Sequence, residues 1–188
     1  MNADERRKTA QASTSGLWLE IRAIEPGDKA ALAAAVDQSS DDAVYRRFLN
    51  PHGRLTAAEL RYLTEVDHRD HEALVAIEPH SGESVGVARY VRDHKRRDRA
   101  EIAVAVLESW QGRGVGKALL DRLAERARDE GINQFIGLML SDNRPMRRLL
   151  AHLGMTRVLS SDAGAVELAV ELHPVRSSRG ATSDFDPR

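Results

Sequence analysis

Val104-Ala105-Val106-Leu107-Glu108-Ser109-Trp110-Gln111-Gly112-Arg113-Gly114-Val115-Gly116-Lys117-Ala118-Leu119-Leu120 reads as an apolar strand, a glycine-rich turn and the first turns of an amphipathic helix. The glycines at alternate positions let the backbone approach a ligand with no Cβ in the way. A helix opening at Val115 aims its unpaired N–H groups and the positive end of its dipole into that turn. Such a corner binds phosphate, and Arg113 and Lys117 add positive charge. Spacing then narrows the ligand. A P-loop needs glycine where Gln111 stands and a hydroxyl where Ala118 stands. A dinucleotide fingerprint would place its third glycine at Lys117 or Leu119. What fits is Gln111-x-x-Gly114-x-Gly116 between a strand and a helix.

Outward from this stretch, Leu17–Ile24 alternates apolar and polar residues as a half-buried strand does. Pro26 opens an Ala-rich helix over Gly27–Val36, and Ser39 or Ser40 could cap a second through Phe48. Thr56-Ala57-Ala58-Glu59 has capping-box spacing and launches a helix to Val66. Glu72–Ile77 and Val85–Val91 read as a hairpin, followed by a strand over Glu101–Leu107. The helix from Val115 ends before Gly131. Gln134–Leu140 reads as a strand, Asn143–Leu153 as a helix, and Met155–Leu159 and Ala165–Leu172 as further strands. The expected organisation is an unstructured stretch over 1–15, one domain over 16–173 and an unstructured stretch over 174–188.

Composition bounds the function. Lys and Arg total 28 against 29 Asp and Glu, so nothing suggests electrostatic capture of nucleic acid. No apolar run has the length of a membrane span. The chain has no cysteine, which excludes disulfides, thiolate metal sites and an acyl-cysteine intermediate and fits a cytoplasmic setting. His68 and His71 stand three apart with no third ligand at fitting spacing, so no metal is expected.

The Gln111–Gly116 pattern resembles the diphosphate-binding signature of the GNAT family of N-acetyltransferases. A second motif, Asn143-x-x-Met146-x-x-Leu149-Leu150-x-x-Leu153-Gly154-Met155, resembles another signature of that family. The resemblance covers Leu17 to Leu172. It implies a mixed α+β fold: a twisted, mostly antiparallel sheet of six or seven strands, the fourth and fifth splayed to admit the pantetheine arm, flanked by about four helices. It also implies acetyl-CoA as cosubstrate. Gln111, Gly112, Arg113, Gly114, Val115, Gly116 and Lys117 would lie at its diphosphate, and Val104, Ala105 and Val106 along its pantetheine. Asn143 would bond the pantetheine or its surroundings, or simply cap a helix.

Amide formation needs a neutral amine, and at pH 7 only about one free lysine in two thousand is neutral. A base near the amine therefore matters. Ala100-Glu101-Ile102-Ala103-Val104 puts one carboxylate on an apolar strand, on the face of Ala103 and Ala105. This stretch resembles the catalytic strand of bacterial protein-lysine acetyltransferases that inactivate acetyl-CoA synthetase. Tyr45-Arg46-Arg47-Phe48-Leu49 and the run from Leu55 to Ala76 resemble the same group. That likeness implies Glu101 as general base and a protein lysine as acceptor, with acetyl-CoA synthetase the first candidate and Tyr45–His71 the docking rim. The alternatives are an ion pair of Glu101 with Arg99 or Arg89, a small-molecule amine as acceptor, and a silent acyl-CoA-binding module. Glu108, the other nearby carboxylate, reads as a loop charge, and His152 as solvent-facing. Many relatives carry a tyrosine acid where Leu150 stands. Oxyanion stabilisation would come from a backbone N–H near Val106, oriented by a β-bulge. The group's acyl-CoA-synthetase-like and nucleotide-sensing domains have no counterpart here, so a free-standing catalytic domain is expected.

Overall fold

The computed structural model describes residues 10–14, 17–37 and 54–174. Eight strands form one sheet: β1 (Ala10–Thr14), β2 (Leu17–Ala23), β3 (His71–Ile77), β4 (Ser84–Arg92), β5 (Arg99–Val106), β6 (Gln134–Leu140), β7 (Gly154–Asp162) and β8 (Ala165–Leu172). Their order is β1-β2-β3-β4-β5-β6-β8-β7. Every neighbouring pair is antiparallel except β5 and β6. Among the described residues the α-helices are α1 (Lys29–Asp37), α2 (Ala57–Thr64), α3 (Val115–Asp129) and α4 (Arg144–Leu153).

The mixed sheet and its helices follow the expected plan, with one strand more. Ala10–Thr14, assigned to an unstructured stretch on composition, pairs along β2 from Ala10↔Ile21 to Thr14↔Leu17. Only hydrogen bonding to a neighbouring edge makes so polar a segment a strand, and composition carries no sign of that. The helix expected between Ser39 and Phe48, and the Tyr45–Leu49 stretch, lie outside the described residues. The chain enters α1 through a short 3₁₀ turn over Pro26–Asp28, where Asp28 accepts from the Glu25 N–H and pairs with Arg22 at 2.7 Å. Thr56 and Glu59 cap α2 reciprocally, as their spacing predicts.

The core lies on one face of the sheet. There α3 buries Val115, Leu119, Leu123 and Ala127 against Leu74, Tyr90 and Phe135, while α4 adds Leu150 and Leu153. The helix periodicity and the strand alternation meet in one contiguous apolar cluster. On the opposite face α1 and α2 lie over β4 and β3: Arg89 of β4 donates to the Leu63 carbonyl, and Tyr62 packs on His71 at 5.0 Å.

The β5–β6 pair positions the site. Its parallel register runs Arg99↔Gln134, Ala100↔Phe135 and Glu101↔Ile136 and ends there, although β5 continues to Val106 and β6 to Leu140. The two strands therefore part beyond Glu101, the splay that the family resemblance implies.

Candidate active site

Where the strands part, β5 keeps its full ladder with β4, from Arg92↔Ala100 to Gly86↔Val106, without a register shift. The expected β-bulge near Val106 is absent from this ladder. Regular alternation does the work instead. The Leu107 N–H bonds the Val85 carbonyl at 3.0 Å on the β4 side. The backbone groups of Val106 and Val104, at alternate positions, therefore point the other way, into the split. Gln111 Nε2 donates to the Val106 carbonyl at 3.1 Å.

The turn after β5 passes through Gly112 (φ 72°) and Gly114 (φ 88°), both in the left-handed region that glycine enters without strain. Gly114 caps α3, and the first intrahelical bond runs from Ala118 N–H to the Gly114 carbonyl at 3.0 Å. The N–H groups of Val115, Gly116 and Lys117 are thus free of helical partners at the positive end of a fifteen-residue helix. No acidic residue stands in the first turn of α3 to neutralise that end. Gly116 serves packing: a Cβ there would meet Leu149 Cδ1 at 3.3 Å and Val106 Cγ2 at 3.6 Å.

A cleft of about 1050 Å³ runs from this turn through the split. Val104, Ala105, Val106, Gln111, Gly112, Gly114, Val115, Gly116, Lys117 and Asn143 all line it. Arg113 does not line it; its guanidinium lies over the Trp110 ring at 5.1 Å, where the cation gains from the ring's quadrupole. Lys117 pairs with Asp121 at 2.7 Å one turn along α3. Asn143 Oδ1 accepts from Met146 N–H at 3.1 Å, which makes it the α4 cap while it still lines the cleft. A long ligand with an anionic group at one end and amides along its length fits this lining. The bare helix N-terminus suits the anion, and the edges of β5 suit the amides.

Glu101 sits at the vertex of the split, on the face of Ala103 and Ala105, and is exposed. It stands beside the large cleft rather than among its lining residues. Neither expected ion pair forms. Arg99 Nε donates to Asp93 at 3.0 Å, and Arg89 turns to the Leu63 carbonyl and His71. Glu101 makes no hydrogen bond or ion pair among the described residues.

Several lining residues were not legible as such in the sequence. Arg89, 6 % exposed, reaches the cleft from β4, and Trp110 flanks the turn. His152, read as solvent-facing, lines the cleft from α4 and pairs with Asp121 at 3.0 Å. Glu108, read as a loop charge, lines it too. For His152 the signal was its α4 position three residues after Leu149. For Arg89 it was a lone charge in the apolar run Val85–Val91. Leu150 is fully buried under β6, so its position offers no proton donor. His68 pairs with Glu72 at 2.8 Å. His71 is pulled down to about 4 by burial and the neighbouring Arg89 guanidinium, so it is neutral at pH 7. Among the described residues no helix is long and apolar enough to cross a membrane.

Comparison with known proteins agrees with this geometry. Residues 32–155 match the acetyltransferase (GNAT) family. The chain is 35% identical over 161 residues to the acetyltransferase Pat of Mycolicibacterium smegmatis, covering 86% of this chain and 48% of that protein. It thus spans about half the length of that relative. It is 29% identical over 160 residues to the acetyltransferase PA5475 of Pseudomonas aeruginosa, covering 79% of this chain and 86% of the other. Among solved structures, the GNAT domain of S. lividans PAT superposes with a TM-score of 0.79 at 31% identity, over 87% of this chain and 97% of that domain. With the splayed strands, the glycine turn and these relatives in agreement, the chain belongs to the acetyltransferase (GNAT) family.

Proposed function

We propose that this chain transfers acetyl from acetyl-CoA to a lysine ε-amine of an acceptor protein, by direct attack in a ternary complex, with an acetyl-CoA synthetase as the first acceptor to test. The observation that carries this reading is Glu101: an exposed carboxylate at the vertex of the β5–β6 split, flanked by small residues and engaged in no ion pair among the described residues. A carboxylate so placed can take the amine proton, directly or through one water, and supply the neutral nucleophile that is scarce at pH 7. The likeness of Ala100–Val104 to the catalytic strand of protein-lysine acetyltransferases supports the same role.

The remaining assignments follow the lining. The free N–H groups of Val115, Gly116 and Lys117 receive the diphosphate, with Gln111, Gly112 and Gly114 shaping the turn. Val104, Ala105 and Val106 run along the pantetheine, and Asn143 holds the start of α4 beside it. The Val106 N–H, turned into the split, stabilises charge developing on the thioester oxygen. Arg113 acts at a distance, through Trp110 and its charge. With Leu150 in the core, the departing thiolate takes its proton from water.

The deciding experiment supplies the chain with labelled acetyl-CoA and, in parallel, an acetyl-CoA synthetase, a polyamine and an amino sugar. Labelling and inactivation of the synthetase supports the proposal, because acetylation removes the charge of an active-site lysine. Rapid acetylation of the free amines with the synthetase untouched gives the site to small molecules.

A further inference from the structure

The face that carries Glu101 continues across β6 onto β8. Glu101 pairs with Ile136, and two residues further along β6 Leu138 pairs with Glu167 of β8. Because side chains alternate, Glu101, Ile136, Leu138 and Glu167 share one face. The other face of β6 belongs to the core, where Gly137 lies against Leu150 of α4. Leu138 is 59% exposed, in mid-strand, between the buried Gly137 and Met139. It stands across the split from Ala103, one step beyond the vertex.

Glu101 has two flanks. On its face α1 and α2 lie over β3 and β4, with Leu63 against Arg89 and Tyr62 on His71. The large cleft, lined by Leu32, Leu63 and Arg89, occupies that flank, and on the β6 flank the exposed Leu138 leaves an approach for an amine carried by a large acceptor. Glu167 lies close to that route: the pKa of Arg99, two residues before Glu101 on the same face, is raised first by its hydrogen bond to Asp93 and also by the charge of Glu167. Arg99 itself is held by Asp93, and Ser160 Oγ lies 3.5 Å from Glu167 Oε2.

A lysine side chain is an apolar stem with a cationic tip, and such side chains lay the stem on apolar surface while the tip keeps polar company. We propose that Leu138 and Glu167 are positioning residues for the acceptor lysine. Its alkyl stem lies along Leu138, and Glu167, on the outer side of Leu138, attracts the incoming ammonium before it reaches Glu101, which takes the proton. This rests on the protein-lysine reading above. It deepens that reading by naming what selects a long-stemmed amine.

The test uses the full chain and blocked amino-acid amides with stems of four, three and two methylenes: Nα-acetyl-lysine, Nα-acetyl-ornithine and Nα-acetyl-diaminobutyrate amides. With the unaltered chain kcat/KM falls about two- to fourfold for each methylene removed, the range for partial to full burial of one CH₂. Leu138→Ser flattens the series, and Leu138→Gln, at an equally exposed position, repeats the result. Glu167→Lys raises KM at least fivefold for all three amides, less so at high salt. Acetyl-CoA affinity by calorimetry and Tm stay unchanged in each variant. A Leu138→Ser enzyme with the same KM and the same stem dependence overturns the route while leaving the acetyltransfer reading intact. No transfer to any of the three amides or to a protein by the unaltered chain overturns both.

Discussion

Glu101 and Ile136 form the last rung between β5 and β6, and beyond them the strands separate. The carboxylate therefore stands where the cleft begins, at a point fixed by two hydrogen-bonded neighbours, β4 on one side and β6 on the other. A residue held on both sides can direct a proton acceptor with less freedom than one on a loop.

On the proposed reading, replacing Glu101 by Gln removes the general base and keeps the shape. Acetyl-CoA affinity should be unchanged while the transfer rate falls by roughly 10²–10⁴, the range for a positioned general base. The deficit should narrow as pH rises toward the lysine pKa, because more amine is already neutral. Steady-state rates from pH 7 to 10 with a lysine acceptor measure it. Near-full activity at pH 7 would sink the assignment.

Gly114 caps α3 at φ 88°, a region costly for a β-branched side chain. Gly114→Val should disturb the run of N–H groups at the start of α3 and weaken acetyl-CoA binding tenfold or more, about 1.4 kcal/mol. Calorimetry, with circular dichroism to verify the fold, reads the change. Equal affinity in a folded variant removes this corner from the binding site.

Gln111 and Val106 are joined by the 3.1 Å amide–carbonyl bond. Gln111→Ala should cost about 1 kcal/mol of stability, the net worth of one such bond, and raise the KM for acetyl-CoA severalfold as the turn loosens. Gln111→Glu should be worse, since a carboxylate cannot donate and adds negative charge beside the anion site. If both variants bind and turn over like the parent, the brace has no role in shaping the turn.

His71 gives a pH dependence whose sign is settled by burial. Its folded pKa is lowered from 6.5 to about 4. Between those values the unfolded chain binds the additional proton, so stability falls as pH drops from 6.5 toward 4. His71→Gln, which keeps a polar side chain beside Arg89, should show a shallower loss over that window. Urea denaturation at pH 7, 5.5 and 4.5 makes the comparison. Parallel curves for both proteins would mean that other groups carry the acid sensitivity.

Much of the fold was legible because the relevant signals are local. The Thr56–Glu59 capping box, the strand over Gln134–Leu140 and the apolar stripe of α3 each lie within a few consecutive residues, and the structure has all three. Other features depend on partners distant in sequence. Ala10–Thr14 becomes a strand only beside β2. His152 reaches the cleft only because α4 packs on α3 and offers it Asp121, 31 residues away. Arg113 carries the charge that a phosphate site wants, yet its guanidinium settles on Trp110.

By itself the sequence determined the strand, the glycine turn and the helix start, because backbone freedom and unpaired N–H groups are properties of adjacent residues. It also determined which face of β5 carries Glu101, because alternation along a strand has a fixed period of two. Only the tertiary structure decided where the β5–β6 ladder ends, and so where the cleft opens. It alone decided that Arg99 and Arg89 turn to Asp93 and to α2 rather than to Glu101. Pairing between strands and competition among charges are settled by geometry across tens of residues, which no spacing along the chain records.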